Sequence, residues 1–387
     1  MRVFVLAGEP SGDRLGGALM QGLKQLVPGV AFDGIGGPNM IAEGLTSRFP
    51  MDELSVMGIA EVLPKYRHLK RRLNQTVDWV IETKPDVLLT IDAPDFSLRV
   101  ASQVKERSDI RCVHYVAPTV WAWRAGRAAK MARYLDQLLA LLPFEPPYFE
   151  EVGLRCDFVG HPVAAETVPT DAEVAAFRAE AGLGDARTLL VLPGSRKGEV
   201  GRLAPVFGEA LRPVMTQHPD LRVVVPAADH VASDVLEMVK TWPGAPVVLD
   251  PRGMRGDVAT ARKRAAFRAA DLALAASGTV SLELAAADTP MVVAYDMNWL
   301  TWQIASLMVK LDTYTLVNLV AGTKAVPEYM GPNCRPQPIA DALNHLLSSP
   351  EALAEQHGAM AATMDALGRG AEPPGLRAAR AVLDGLG

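Results

Sequence analysis

Short apolar runs alternate along the chain with longer stretches in which apolar residues recur at every third or fourth position. Runs of the first kind predict buried β-strands, and stretches of the second kind predict amphipathic helices. The apolar runs that matter most lie at residues 2–7, 87–91, 112–116, 188–192 and 272–275. Because buried strands that alternate with helices are typical of parallel sheets, the pattern predicts an α/β fold.

This alternation of strands and helices occurs twice, at residues 1–165 and at residues 166–345. Between them, residues 164–171 contain Pro169 and lack a strand pattern, so we predict the interdomain linker there. A chain of 387 residues is long enough for two domains. We therefore expect two Rossmann-like domains that face a cleft, and terminal helices at residues 346–387 that pack on the first domain or on a partner subunit.

Composition and charge narrow the functional classes. Hydrophobic residues make up 49% of the chain and charged residues 21%, which fits a globular protein with a sizeable core. The formal net charge of −5 indicates no nucleic-acid partner. Three scattered cysteines argue for a reducing compartment and against a disulfide framework or a zinc site. Because no stretch approaches about 18 apolar residues, any membrane contact is expected to be peripheral.

The first strand is followed by a glycine-rich turn, Gly-Glu-Pro-Ser-Gly-Asp at residues 8–13. A strand, such a turn and a helix are typical of the start of a nucleotide-binding fold. However, the glycine spacing of the dinucleotide and P-loop motifs is missing, and Glu9 and Asp13 would repel a phosphate. The turn is therefore predicted either to face something other than phosphate or to be a helix cap made by Ser11.

Two aspartates follow the strand at residues 87–91. Asp92 and Asp95 bracket Pro94, and the ligand crevice of an α/β sheet lies at the carboxyl ends of its strands. Both are candidates for a general base. We assign the functional role to Asp92, and expect Asp95 or Ser97 to cap the following helix.

The strand at residues 112–116 leads into Ala-Pro-Thr-Val-Trp-Ala-Trp-Arg at residues 117–124. Trp121 and Trp123 flank a small residue after a proline, which indicates a binding loop rather than core. Arg124 is the first of several basic residues at helical spacing. These either hold an anionic group of a substrate or form a solvated helix face.

Residues 56–79 combine an apolar helical stripe with five basic residues, and Pro64 predicts a break between a short helix and a longer one. A basic amphipathic helix suits an anionic membrane surface. The alternative is a surface helix that packs its apolar stripe on the sheet.

The second domain contains two turns of the type that binds anions. The first is Pro-Gly-Ser-Arg-Lys-Gly-Glu at residues 193–199, where two cations and small residues precede a helix. The second is Ser-Gly-Thr at residues 277–279, with Glu283 one turn into the next helix, where it could accept a hydrogen bond from a ribose hydroxyl. Alone, this second turn is more typical of an ordinary capped helix, and its neighbour favours a phosphate site. Asn318 is a further candidate ligand, whereas the basic stretch 252–268 is predicted to be a surface loop that runs into a helix and receives no role.

These loops together resemble the lipid-A-disaccharide synthase family, bacterial glycosyltransferases with the two-Rossmann GT-B fold. The resemblance covers nearly the whole chain. It rests on the motifs at residues 7–13, 56–59, 91–96, 114–123, 142–145, 159–162, 192–196 with Glu199, and 276–279. Each motif is modest, but their number, order and spacing are specific.

The resemblance implies a reaction. UDP-2,3-diacylglucosamine and 2,3-diacylglucosamine 1-phosphate would give the β-1,6-linked disaccharide 1-phosphate and UDP. The family inverts the anomeric centre, uses no metal or other cofactor, and works at the inner face of the cytoplasmic membrane in lipid A biosynthesis. A homodimer is left open.

The resemblance also suggests roles for the candidate residues. Asp92 is the first choice for the base and Glu9 the second. The predicted substrate-binding residues are Gly194, Ser195, Arg196, Glu199, Ser277, Gly278, Thr279, Glu283, Asn318, Trp121, Trp123 and Arg124. Since both substrates carry acyl chains, membrane docking becomes the favoured interpretation of the amphipathic stretch, through Ile59, Val62, Leu63, Tyr66, Leu69, Lys70 and Arg71. Val317 stands where the family usually has proline, which leaves the conformation of the Asn318 loop open.

Two other functions compete with this prediction. A sugar-nucleotide epimerase has the same two-domain fold and binds UDP, but it does not need the basic amphipathic helix or the Trp-Ala-Trp loop. A non-catalytic nucleotide- or lipid-binding protein is the second alternative.

Overall fold

The computed structural model describes residues 1–54, 59–121, 126–298, 302 and 311–386, with the backbone alone at residues 59–65. Within these residues, twelve strands form two sheets of six, and every strand pair is parallel. The chain divides into two compact units, which we call unit 1 (Met1–Ala165 and Leu367–Gly387) and unit 2 (Glu166–Ala366). The predicted α/β class with two Rossmann-like halves is confirmed.

Unit 1 contains the first sheet, in the order β2-β1-β3-β4-β5-β6. Its strands are β1 (Arg2–Ala7), β2 (Ala31–Ile35), β3 (Val87–Ile91), β4 (Arg111–Tyr115), β5 (Gln137–Ala140) and β6 (Cys156–Phe158). Its first helices are α1 (Pro10–Leu26), α2 (Pro38–Ala42), α3 (Ile59–Thr83), α4 (Pro94–Arg107), α5 (Gly126–Met131) and α6 (Pro146–Glu150). Short 3₁₀ turns lie at Met51–Glu53 and Pro162–Ala165.

Unit 2 contains the second sheet, in the order β12-β11-β10-β7-β8-β9. Its strands are β7 (Thr188–Leu192), β8 (Arg222–Pro226), β9 (Val247–Leu249), β10 (Leu272–Ala276), β11 (Met291–Tyr295) and β12 (Glu328–Met330). Its helices are α7 (Asp171–Glu180), α8 (Lys197–Gln217), α9 (Ala232–Met238), α10 (Gly256–Ala269), α11 (Val280–Ala286), α12 (Leu316–Ala321), α13 (Pro336–Ser348) and α14 (Pro350–Ala366). The basic stretch 252–268 is therefore mostly helical, because α10 begins at Gly256.

The central strands are buried on both faces. All five residues of β3, of β7 and of β10 are buried, which explains why these strands appear in the sequence as unbroken apolar runs. In each sheet the strand order reverses once, between β1 and β3 and between β7 and β10. Ligands of open α/β sheets bind outside the carboxyl ends of the strands at such a switch point.

The last helix, α15 (Pro374–Asp384), returns to unit 1 and packs on α1. The two helices touch through glycines: a Cβ atom on Gly22 would lie 2.8 Å from the Gly375 carbonyl oxygen, and one on Gly375 would lie 2.6 Å from the Ala18 carbonyl oxygen. The predicted terminal segment 346–387 is therefore divided, because α14 belongs to unit 2 and α15 to unit 1.

Helix α3 differs from its prediction in two ways. It runs unbroken from Ile59 to Thr83, so Pro64 does not split it. Proline at the sixth position forgoes a single hydrogen bond near the helix start, and the helix continues beyond it. Leu69 packs against the core of unit 1, in line with the buried Leu73 and Val77. At Leu69, which is partly buried, the structure therefore favours the alternative that this part of the apolar stripe covers the sheet.

Candidate active site

The switch point of unit 1 is built by glycines that allow two turns to touch. A Cβ atom on Gly8, after β1, would lie 2.9 Å from the Cβ of Ala93. One on Gly12, in the first turn of α1, would lie 3.1 Å from the Ile91 carbonyl oxygen. The small residues that follow β1 thus bring the start of α1 against the turn that follows β3.

Asp92 lies in that turn, at the carboxyl end of β3. Asp92 and Ala93 have φ angles of 54° and 44°, which are unusual for residues with a Cβ and cost roughly 1–3 kcal/mol each. The Asp92 carboxylate is half-buried and accepts hydrogen bonds from Ser11 Oγ at 2.7 Å and from the Ala93 amide at 2.9 Å. Each oxygen accepts one bond from the described residues, which leaves it a lone pair for a proton or a hydroxyl group.

The predicted caps in this region are wrong. Helix α4 begins at Pro94 after Ala93, without a side-chain cap, so neither Asp95 nor Ser97 fills that role. Ser11 lies inside α1 and donates to Asp92 instead of capping the helix. The strained backbone at Asp92 and Ala93 sets the start of α4.

The two other acidic residues of the first turn separate in the structure. Glu9 is the residue before α1, partly exposed and in an extended conformation, and its side chain does not cap the helix. Asp13 is buried and accepts hydrogen bonds from the Gly37 amide at 2.8 Å, the Met40 amide at 3.1 Å and both nitrogens of Asn39 at 2.9 and 2.7 Å. Asp13 therefore holds the start of α2, a structural role that sequence reasoning missed.

Trp121, after β4, is partly buried, and its indole Nε1 donates to Glu145 Oε1 at 3.3 Å. The ring of Phe144 meets the indole edge-to-face, with centroids 5.1 Å apart. Burial raises the pKa of the Glu145 carboxyl to about 7, and hydrogen bonds from the Leu142 amide and the indole oppose that shift. The predicted binding residues Trp123 and Arg124 lie outside the described residues.

In unit 2, the turn after β7 is closed by an acidic residue of its own. Gly194 has a φ angle of 111°, and α8 begins three residues later. The Glu199 carboxylate accepts hydrogen bonds from the Ser195 amide at 3.2 Å, the Arg196 amide at 3.3 Å and Arg196 Nη1 at 3.1 Å. The amides predicted to bind phosphate thus donate to Glu199, whereas the Arg196 side chain remains 66% exposed.

The adjacent turn, after β10, is open. Gly278 has a φ angle of 152°, which favours glycine, and apart from its two chain neighbours no atom of the described residues lies within 4 Å of the position its Cβ would take. Ser277 and Thr279 flank it, and Glu283 lies in the first turn of α11. Lys263 Nζ donates to Glu283 Oε2 at 2.5 Å. Sequence reasoning missed Lys263, because it was part of the basic stretch that received no role.

A cavity of about 250 Å³ adjoins this pair at the carboxyl ends of β8 and β9. Its lining includes Ala227, Leu249, Asp250, Pro251, Met254 and Lys263. Lys263 therefore connects the cavity to Glu283. The cavity has mostly apolar walls with a few charged groups, which is typical of a small-molecule site.

Asn318 does not present a polar group to a ligand. Its side chain is 1% exposed, Nδ2 donates to the Val326 carbonyl at 2.9 Å, and Oδ1 accepts from the Val326 amide at 3.0 Å. Both ends of the amide are used inside unit 2, which contradicts the prediction that Asn318 is a ligand. Asn318 instead connects α12 to Val326, just before the start of β12.

The polar part of the predicted membrane helix faces outward. Tyr66 is 52% exposed, and Lys70 and Arg71 are exposed. The side chains of Ile59, Val62 and Leu63 lie outside the described residues. Within the described parts of the chain, no helix is long and apolar enough to cross a membrane.

Two Rossmann-like units, each with polar turns at its switch point, are characteristic of the GT-B fold. Solved structures agree with this fold. UDP-GlcNAc 2-epimerase from Neisseria meningitidis, bound to UDP-GlcNAc, has a TM-score of 0.63 at 12% identity and covers 99% of both chains. A putative UDP-N-acetylglucosamine 2-epimerase from Listeria monocytogenes has a TM-score of 0.62 at 15% identity, covering 99% of this chain and 94% of its own.

The sequence comparisons go further than the fold. The family model for lipid-A-disaccharide synthetase matches residues 3–372. The lipid-A-disaccharide synthase of Ruegeria pomeroyi is 65% identical over 386 residues, covering 100% of this chain and 96% of that relative. The enzyme of Rhodospirillum centenum is 46% identical, covering 99% and 94%. The chain belongs to the lipid-A-disaccharide synthetase family.

The family decides between the competing functions. The epimerases share the fold at 12–15% identity, whereas the relatives named lipid-A-disaccharide synthase match along the full chain. The chain is therefore a glycosyltransferase of lipid A biosynthesis, as the motifs predicted.

Proposed function

We propose that the chain transfers 2,3-diacylglucosamine from UDP to the 6-hydroxyl of 2,3-diacylglucosamine 1-phosphate. The products are the β-1,6-linked disaccharide 1-phosphate and UDP, with inversion at the anomeric carbon. The observation that carries this proposal is the 65% identity to a lipid-A-disaccharide synthase along the whole chain. The polar turns at both switch points supply groups for each half of the reaction.

Inversion requires a single displacement. The acceptor 6-hydroxyl oxygen forms a bond to the anomeric carbon, the bond from that carbon to the UDP oxygen breaks, and its electron pair leaves with UDP. The hydroxyl proton must pass to a base. We assign this role to Asp92, whose carboxylate is aimed by Ser11 and by a strained turn that limits its movement. Glu9, in the neighbouring turn, is the second candidate.

Unit 2 is assigned to the UDP group. The exposed Arg196 guanidinium can neutralise charge that develops on the diphosphate as it leaves. The open turn at residues 277–279 offers hydroxyl and amide donors to the same group. Glu199 already occupies the Ser195 and Arg196 amides, so we give the diphosphate to the guanidinium and the open turn.

The nucleoside is assigned to the cavity beside Lys263. The Glu283 carboxylate would accept a ribose hydroxyl through the oxygen that does not pair with Lys263, and the largely apolar cavity would hold the base. The lysine then orients the carboxylate and closes one side of the cavity.

Docking on the inner face of the cytoplasmic membrane completes the proposal, because both substrates are acylated. The exposed Tyr66, Lys70 and Arg71 fit an interfacial helix, with Ile59, Val62 and Leu63 as the apolar contacts at its start. Leu69 is left out of this surface, since it packs on the core.

The variant Asp92→Asn tests the mechanism. It keeps the size of the side chain but weakens the base, so kcat should fall by about 10²–10⁴-fold. The affinity for UDP should stay within about twofold, because UDP is assigned to unit 2. Steady-state UDP release and calorimetry with UDP measure the two quantities.

The matched control is Asp95→Asn, an exposed carboxylate of the same segment, which should leave both quantities near those of the wild type. A rate for Asp92→Asn near that of the wild type would exclude Asp92 as the base. Loss of UDP affinity together with the rate would mean that Asp92 supports the structure instead.

A further inference from the structure

Glu145 is a buried carboxyl that the roles assigned so far do not use. It is 3% exposed, and among the described residues it shares this burial with one other acidic residue, Asp13. Asp13 is satisfied by four donors. Glu145 has fewer donors, and its burial raises its pKa to about 7. Because burial of a carboxylate is energetically unfavourable, its presence here requires a specific explanation.

Helix capping does not explain it. Glu145 is the residue before α6, but its side chain makes no cap bond to that helix. It turns back instead, accepts the Leu142 amide at 3.0 Å on one oxygen, and reaches Trp121 Nε1 with the other. The carboxylate therefore links its own loop, after β5, to the loop after β4.

The link lies at the carboxyl edge of the sheet of unit 1. β4 and β5 are adjacent parallel strands, so their following loops meet at the same edge as the turn that carries Asp92. Phe144 packs against the edge of the same indole. Trp121 is thus held twice, by a ring contact and by a hydrogen bond, although it stands in a loop.

We propose that Glu145 is a positioning residue for the sugar acceptor, acting through the indole of Trp121. This inference rests on the proposed function, which gives the acceptor to unit 1. The carboxylate accepts both the indole N–H and the Leu142 N–H, and so fixes the ring against which the acceptor binds. A neutral group at this position cannot satisfy both donors equally well.

Both hydrogen-bond partners of Glu145, the Trp121 indole and the Leu142 amide, are donors, so the ionised carboxylate is the form that holds the indole. The charge of Glu145 also acts on the Cys156 thiol of β6: burial first, and then the charges of Glu145, Asp157 and Glu150, raise the pKa of that thiol. No charged side chain of the described residues is a cause of the Glu145 shift, which comes from burial, the neighbouring backbone and Trp121. The acceptor site should therefore tighten as the carboxyl loses its proton near neutral pH.

A double-mutant cycle tests the link. Glu145→Gln leaves one acceptor oxygen for two donors, and Trp121→Phe keeps a ring but removes the N–H. Each variant should raise the KM for 2,3-diacylglucosamine 1-phosphate by about five- to tenfold, the loss of a single hydrogen bond, with kcat within about twofold. Because both remove the same contact, the double variant should be no worse than the poorer single variant.

Two further readouts separate positioning from general damage. In the wild type, kcat/KM for the acceptor should rise through an inflection near pH 7, and Glu145→Gln should lose that inflection. The affinity for UDP should be unchanged in every variant. Glu150→Gln, an exposed carboxylate at the end of α6, is the matched control and should behave as the wild type.

The outcomes distinguish the inference from the function on which it rests. Additive effects of the two substitutions, an unchanged acceptor KM, or an equal loss of UDP affinity would overturn the role of Glu145. If the wild type itself releases no UDP when the acceptor is added, the proposed function fails instead.

Discussion

At the scale of single residues, the number of hydrogen-bond donors around a carboxylate distinguishes structural residues from functional candidates. Asp13 receives four donors and ties α2 to α1, which is a complete structural role. Asp92 receives two donors, remains half-buried and sits on strained backbone. Glu145 is buried with a raised pKa. A carboxylate at the end of a strand is the better candidate for a functional role if its oxygens can accept further hydrogen bonds, or if burial raises its pKa.

The raised pKa of Glu145 predicts a pH dependence of stability. Its pKa rises from 4.5 to about 7 on folding, so the folded state binds the proton more tightly than the unfolded state. Between these values the folded chain holds more protons, and its stability falls as pH rises. The full loss above pH 7 is about 3 kcal/mol.

Denaturant unfolding of the full-length chain between pH 4 and pH 8 measures this effect. The free energy of unfolding of the wild type should fall more steeply with pH than that of Glu145→Gln, by about 3 kcal/mol over the range. Glu150→Gln should follow the wild type. Parallel pH curves for Glu145→Gln and the wild type would show that Glu145 does not titrate as described.

The positions of the candidate residues were predictable from the sequence where they depend on the nearest strand, and their partners were not predictable where these are distant in sequence. Asp92, Arg196 and Gly278 lie in the turns that follow buried strands, which short-range patterns reveal. The partners of Asn318 and Glu283 are chosen by tertiary packing. Lys263 pairs with Glu283 because α10 and α11 pack together, which no local pattern encodes.

At the scale of elements, the amphipathic helix α3 packs on the sheet along one part of its length and exposes side chains to solvent along another. Its apolar stripe from Leu69 onward covers the sheet, and Arg72 turns inward to the Glu53 carboxylate at 2.7 and 2.8 Å. Tyr66, Lys70 and Arg71 face outward. Periodicity predicted the helix correctly, but it does not tell which part of the stripe packs on the protein.

The start of α3 carries the membrane prediction. Replacing Val62 and Leu63 together with serine should reduce binding to vesicles of anionic phospholipid by about tenfold or more, since each lost side chain removes roughly 1–2 kcal/mol of apolar burial. Thermal stability should change little. Vesicle cosedimentation and thermal melting measure the two effects.

Leu73→Ser is the contrasting variant, because Leu73 is buried in the core of unit 1. It should lower the melting temperature without a selective effect on vesicle binding. If the Val62 and Leu63 double variant unfolds as Leu73→Ser does, the start of α3 is core rather than a membrane surface.

At the scale of the whole molecule, the chain forms two parallel sheets of six strands, and its last helix returns to the first unit. The repeated strand–helix order was predictable because each unit repeats a local pattern. The sequence predicted that the terminal helices pack on the first domain or on a partner subunit, and α15 follows the first of these alternatives. The particular contact of Gly22 with Gly375 was not predictable, since it joins residues that are nearly the whole sequence apart. Composition gave no sign of it.

The proposed function assigns the base to unit 1 and UDP to unit 2, and its central claim is that the chain joins two acylated sugars and releases UDP. The direct measurement is to incubate the purified chain with UDP-2,3-diacylglucosamine and 2,3-diacylglucosamine 1-phosphate, and to identify the products by mass spectrometry and NMR. We expect one UDP for each β-1,6-linked disaccharide 1-phosphate, and no turnover without the acceptor. An isomerised UDP-sugar formed without acceptor, or no UDP release with both substrates present, would contradict it.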